Sequence, residues 1–147
     1  TVPQPDGRYT FIDQGEQRFT YRLLPHVGSW EDAGTTRRAS ELNRPPVAIV
    51  ESFHAGALPW HDSFACVEPE SVQIAVIKRA EDGDDLILRC LETSGRDTAA
   101  TIRLPRWNRA IETTFGPNEI KTFRVPADES TPIQETNLIE WRMEATR

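Results

Sequence analysis

The chain is short of the residues that staple a small protein or anchor one in a membrane. Cys66 and Cys90 are its two cysteines in 147 residues, too few for a disulfide framework. Both sit in strand-like contexts, Phe64-Ala65-Cys66-Val67 and Leu88-Arg89-Cys90-Leu91. We therefore expect buried free thiols, with a bridge only if their strands are neighbours, and a reducing, cytoplasmic (bacterial) setting. No run approaches the ~18 apolar residues that cross a bilayer, and no basic-plus-apolar leader opens the chain. We expect no membrane partner, the piece being soluble or its targeting segment lying outside it. An excess of cations is missing too: 17 Lys and Arg against 23 Asp and Glu give a net charge of −6. Phosphate binding needs clustered basic side chains, so no nucleic-acid partner is expected. The locally basic, aromatic spot formed by Arg103, Arg106, Trp107 and Arg109 reads as a strand end and turn with its Trp packed underneath. There is no Met at position 1, and the opening Thr-Val-Pro-Gln-Pro-Asp-Gly is what a piece of a longer polypeptide would show.

What is present is enough for one domain. A chain of this length can bury roughly 70% of its unfolded surface. Residues 1–8 read as an extended connector, and residues 9–12 as a short edge strand. Phe19, Tyr21 and Leu23 alternate with Thr20 and Arg22, which predicts a strand over residues 19–24, ended by Pro25. One short or broken helix is expected within residues 29–43. Ser29 followed by Asp32 is a capping-box-like start, and Pro45-Pro46 forbids continuation.

From there the pattern is strands, over residues 47–50, 64–67, 71–78, 86–92, 98–104, 110–115, 120–125 and 138–142. Residues 71–78 alternate cleanly, with Val72, Ile74 and Val76 on one face; residues 98–104 present Ala100, Ile102 and Leu104 inward. The 71–92 hairpin is apolar on both faces, which predicts a central, doubly covered position. Seven or more short strands with regular turn signals and one short helix make the fold class mainly β, an antiparallel β-sandwich.

No catalytic constellation stands out. There is no Gly-rich phosphate loop, nucleophile elbow or Cys/His dyad. His26, His54 and His61 are 28 and 7 residues apart, without the close pair that zinc sites use. The acidic tip Glu81-Asp82-Gly83-Asp84-Asp85 lacks the EF-hand layout and reads as a solvated turn. We therefore expect no cofactor in this chain. Trp60-His61-Asp62 is the one loop that suits a sugar, with an indole for the ring's apolar face and polar neighbours for its hydroxyls. Trp107 is a second aromatic of that kind. Trp60, His61, Asp62 and Trp107 are thus the candidate sugar-facing or domain-interface residues, against a preferred reading in which the Trp plugs an end of the sandwich.

Several segments resemble one family. The run F-x-Y-x-L-x-P-H-x-G-x-W over residues 19–30, with Leu42-Asn43-Arg44-Pro45 after it, is similar to the C-terminal β region of glycoside hydrolase family 38, the α-mannosidases. Residues 74–92, of the form I-x-x-hydrophobic-K-x-A-E-D-G-x-x-hydrophobic-I-L-R-hydrophobic-x-E, resemble that family's hairpin. Asn137-Leu138-Ile139-Glu140 resembles its closing strand. Cys90 departs from the pattern, where a bulky residue is more typical. The resemblance implies a structural domain of an enzyme that hydrolyses α-mannosides with retention. Its zinc ion and Asp nucleophile would belong to an upstream domain whose motifs are missing here. It implies as partners the catalytic and middle domains of the same polypeptide, and carbohydrate. The alternatives are a carbohydrate-binding module and a non-catalytic interaction domain.

Overall fold

The structure, a computed structural model, describes residues 15–141. The expected connector at 1–8, the strand at 9–12 and the tail end of the 138–142 strand lie outside the described residues. Among the described residues one helix, α1 (Thr35–Asn43), precedes seven strands: β1 (Cys66–Glu68), β2 (Val72–Arg79), β3 (Leu86–Glu92), β4 (Thr98–Leu104), β5 (Arg109–Phe115), β6 (Ile120–Val125) and β7 (Gln134–Thr136). They form two antiparallel sheets, ordered β1-β4-β5 and β2-β3-β6-β7. Between them lies one apolar core. Ala100, Ile102 and Leu104 of β4 with Ile111 and Phe115 of β5 face Val72, Leu88, Cys90, Phe123 and Val125 of the other sheet. The expected antiparallel β-sandwich with one short helix is the fold.

Pairing makes the difference between strands that form and strands that do not. β3 lies between β2 and β6 over nearly its whole length and has no exposed residue, as its two apolar faces require. β2, by contrast, is an edge strand. Its alternation is also interrupted: Ile74 lies opposite Cys90 and Val76 opposite Arg89, so a bulge falls at Ala75. An extra residue reverses the parity of a strand. Val72 and Ile74 therefore face the core, while Val76 turns to the outer face and Ile77 takes the inward register opposite Leu88.

Three expected strands are corrected. Residues 19–24 and 47–50 have strand-like patterns but no ladder, and Phe19, Tyr21, Leu23, Val47, Ile49 and Val50 are all exposed. No neighbouring strand offers them hydrogen bonds, and alternation alone does not hold a strand in water. Among the described residues the last strand is β7, and residues 138–141 form no ladder. There the Asn137 side chain accepts the N–H groups of Ile139 (3.0 Å) and Trp141 (2.9 Å), and Glu140 adopts a φ of 69°. This is an Asx-type turn, in which the side chain replaces a ladder partner. It buries Glu140 against Lys78 (2.7 Å) and the N–H of Glu81 (3.0 Å), closing the outer face of the larger sheet.

The helix begins later than its cap signal. Ser29 and Asp32 form the reciprocal box, with Ser29 N donating to Asp32 Oδ2 (2.8 Å) and Asp32 N to Ser29 Oγ (3.1 Å). That box closes a turn over residues 30–34, and α1 starts only beyond Gly34, whose φ is 60°. Arg38 N still reaches the Gly34 carbonyl at 3.0 Å.

Candidate functional site

Three connections carry the chain from one sheet to the other: β1–β2, β3–β4 and β5–β6. The registers place all three at the same end, since Val72 faces Glu92 and Leu91 faces Ile120. Turns at such a crossover cannot bond to either sheet, so their N–H groups need another acceptor. Glu92 supplies it. Its side chain is fully buried and accepts from the Ser94 N–H (2.8 Å), the Ser94 hydroxyl, the Gly95 N–H (2.8 Å) and the Asn118 N–H (3.0 Å). The β3–β4 and β5–β6 turns are thus fixed to one carboxylate. Burial pushes the Glu92 carboxyl up, but the Ser94 hydroxyl and the Asn118, Ser94 and Gly95 amides outweigh it and hold the group at about 2. The β1–β2 turn joins through Thr93, whose N–H and hydroxyl both donate to the Ser71 carbonyl at 2.8 Å.

The turn over residues 28–34 docks at this same end. Arg96 reaches Glu31 at 2.7 Å, and Arg37 of α1 reaches Glu70 at 3.4 Å. The arrangement brings Trp30 beside Thr93 and Ser94. Gly28 is required here. Its φ is 82°, and a Cβ would lie 2.7 Å from Asp32 Oδ2, inside the capping box. Asp32 itself is held below the usual carboxylate range by the Ser29 amide and hydroxyl.

The residues singled out from the sequence lie at the opposite end, where β4 turns into β5 through a 3-10 turn, Pro105–Trp107. Trp107 is half-buried and packs on the core, its ring 6.2 Å from that of Phe64. Arg106 lies over Phe64 at 5.4 Å and pairs with Asp62. Asp62 and Trp107 therefore belong to one cluster, joined by Arg106 and Phe64. Trp60 and His61 project from the same loop and remain exposed, Trp60 at 99%. Trp107 plugs the end of the sandwich; Trp60 does not. The neighbouring cations are likewise engaged, Arg103 with Glu68 (3.1 Å) and Arg109 with the Thr131 carbonyl (2.8 Å), which leaves no free basic face at this spot.

The titratable groups do not assemble a reaction centre among the described residues. No group of three or more His, Cys, Asp or Glu side chains converges there as metal ligands do. The acidic tip is spent on ion pairs, Arg124 with Asp82 (2.9 Å) and Asp85 (2.6 Å), Arg79 with Asp84 and Lys78 with Glu81. A glycosidase acid needs a carboxyl group raised in pKa. Each described carboxyl group with a resolved shift, Asp32, Asp82, Asp85, Glu92, Asp128 and Glu140, is shifted down. Cys66 is exposed and Cys90 buried, and neither is bridged.

In the sequence, Glu92 stands out only as the last letter of the hairpin pattern. A signal for its role is nonetheless there: in Leu86, Leu88, Cys90, Glu92 it occupies the inward register immediately before a Ser-Gly turn. An acid in a core register beside turn amides is a buried acceptor.

Comparison with known proteins bears on this same hairpin. Residues 71–110, which hold β2, β3, β4 and the 3-10 turn, match the family described as glycosyl hydrolases family 38 C-terminal beta sandwich domain. Alpha-mannosidase 2C1 of Homo sapiens is 37% identical over 86 residues, 56% of this chain and 8% of the relative. Alpha-mannosidase G of Dictyostelium discoideum is 28% identical over 92 residues, 58% of this chain and 8% of that protein. The chain thus spans about 8% of the length of these curated relatives. No solved structure matches it. The matched residues contribute strands to both sheets of the antiparallel sandwich, and over that stretch the chain is similar to the C-terminal beta sandwich domain of glycosyl hydrolases family 38.

Proposed function

We propose that this domain is the C-terminal accessory domain of an α-mannosidase, structural in role and inactive by itself. The observation that carries the reading is the contrast between the two parts of the described chain. The sandwich closes its own core, whereas Phe19, Tyr21, Leu23, Val47, Ile49 and Phe53 are exposed apolar side chains with no sheet to cover them. Apolar surface on this scale marks a contact. Its occupants are the catalytic and middle domains of the same polypeptide, in keeping with the small share of the relatives that this chain spans. The zinc and the nucleophile of the parent enzyme belong to those domains; no described cluster here has the donors to hold the metal. The unbridged thiols support a cytoplasmic compartment, and no described helix is long and apolar enough to cross a membrane.

The test is direct. The purified 147-residue chain should fold as a β protein by circular dichroism and hydrolyse no aryl α-mannoside, with or without added Zn²⁺. Zinc-dependent turnover by the chain alone would overturn the proposal. A second reading, a carbohydrate-binding module, is favoured by one observation, the complete exposure of Trp60. Saturable binding of mannose oligosaccharides that is lost in Trp60→Ala would establish it.

A further inference from the structure

Residues 19–24 have the sequence of a strand and no sheet to belong to. Phe19, Tyr21 and Leu23 alternate with Thr20 and Arg22, and all five are exposed. One apolar and one polar face at period two suits an antiparallel sheet, packed on a core on one side and wet on the other. Such a strand needs a neighbour for its N–H and C=O groups, and no described strand pairs with it.

The free edges of the described sandwich do not supply that neighbour. At β2 the bulge at Ala75 bends the edge, and Arg44 Nη1 reaches the Ala75 carbonyl at 3.5 Å; natural edges discourage pairing in this way. β1 and β7 are edges of three residues, too short for a six-residue partner. β5 is flanked by residues 129–131, where Arg109 donates to the Glu129 and Thr131 carbonyls (3.3 and 2.8 Å). A second copy is a poor neighbour as well, since each brings a net charge of −6. What the sandwich does supply is a fixed point. Beyond Pro25, Gly28 turns the chain with a φ of 82° into the Ser29–Asp32 box, and Glu31 of that turn pairs with Arg96 at 2.7 Å. Leu24 and Ser29 are five peptide steps apart, at most about 18 Å when extended. The neighbour therefore stands near the crossover end.

We propose that residues 19–24 are a strand of a sheet in the domain that precedes the sandwich in the same polypeptide. This rests on the reading of the chain as the C-terminal part of a larger enzyme, and it specifies how that part is joined. The matched stretch is 8% of the length of the curated relatives, and the matched family is a C-terminal domain, so the bulk of such a polypeptide comes before it. The partner is a free sheet edge with an apolar face. Phe19, Tyr21 and Leu23 complete that domain's core, Thr20 and Arg22 face water, and the backbone binds by strand addition. The boundary between the two domains then falls at Pro25–Gly28, inside this chain and upstream of the matched residues 71–110. Across so short a connection, the strand and the Glu31–Arg96 pair hold both domains in one relative placement.

Hydrogen–deuterium exchange read by mass spectrometry, on the full-length polypeptide and on the 147-residue chain, provides the test. Residues 19–24 should exchange freely in the chain alone and at least about tenfold more slowly in the full-length protein. Variants that add the same charge on opposite faces separate a strand from a mere apolar contact. Phe19→Lys and Tyr21→Lys should erase the protection, and Thr20→Lys should keep it. In the 147-residue chain all of these should keep the native urea midpoint, because none of the side chains is covered there. Equal exchange in the two proteins would overturn the proposal, as would a loss of protection in Thr20→Lys as great as in Tyr21→Lys. Protection within a dimer of the chain alone would assign the segment to a second copy and overturn it too. A lowered midpoint for Tyr21→Lys in the chain alone would return the segment to the sandwich, with the same consequence. If the inward-face variants fail to fold, the wild-type comparison decides. The reading of the parent enzyme fails separately: zinc-dependent turnover by the 147-residue chain would leave the exchange comparison standing.

Discussion

Glu92 shows how much one side chain can organise. Its carboxylate is an acceptor common to two turns, and its depressed pKa turns this into a dependence on pH. The folded value is about 2 against an ordinary 4.5, so the stabilising contribution is complete above about pH 4.5 and is lost as pH falls toward 2. That difference corresponds to roughly 3 kcal/mol. Glu92→Gln, which keeps the size but turns an NH₂ toward backbone donors, should lower the urea midpoint markedly at pH 7. It should also flatten the stability profile between pH 4.5 and 2, where the native protein's falls. Equilibrium urea unfolding at several pH values checks both. The cysteines give a second residue-scale expectation. Burial alone pushes the Cys90 thiol up to about 12, whereas Cys66 is exposed. A thiol reagent should therefore modify one cysteine promptly and the second only after denaturant is added.

At the scale of elements, local pattern and pairing contribute differently. The Ser29–Asp32 box can be read in the sequence and forms as read. It leads into a turn before the helix, because Gly34 sits in the left-handed region and delays α1 to Thr35. Gly28→Ala should disrupt this start. The substitution forces a positive φ on alanine and sets a methyl against Asp32, at a cost of about 1 kcal/mol. We expect faster amide exchange at Ala33, Thr35 and Arg38, whose N–H groups bond within the turn and helix, with the strands unaffected. Residues 19–24 and 47–50 teach the converse lesson. They carry strand patterns and are not strands, since a pattern supplies one face of a pairing and the partner must come from elsewhere. The bulge at Ala75 was equally hidden. It shows only in the mismatch between Ile74–Cys90 and Val76–Arg89, a relation between two strands.

For the molecule as a whole, the described chain divides into a closed sandwich and a segment outside it. The first is held by a continuous core across both sheets, with Phe115 and Leu88 fully buried. Phe115→Ala should therefore cost about 3–5 kcal/mol, measured by chemical unfolding. Residues 44–64 contribute no ladder hydrogen bonds. Limited proteolysis should cut there first and leave residues 65–141 intact, because backbone outside a sheet opens at little cost. On the proposed reading, docking onto the catalytic and middle domains should suppress those cuts.

By itself the sequence determined the class of the domain. Alternation in residues 86–92, 98–104 and 120–125 specified strands whose bounds the structure reproduces, because each segment pairs with neighbours that share its period. Its turn residues placed the reversals, and its hairpin carried the family resemblance. Only the tertiary structure decided which apolar segments lie inside. Phe19, Val47 and Leu88 look alike along the chain, and burial depends on what stands opposite. It likewise decided that Glu92 is an anchor, that Trp107 is packing while Trp60 is open, and that Trp30 lies beside Thr93 and Ser94. Those are relations between residues far apart in sequence, and they come into being only when the two sheets close.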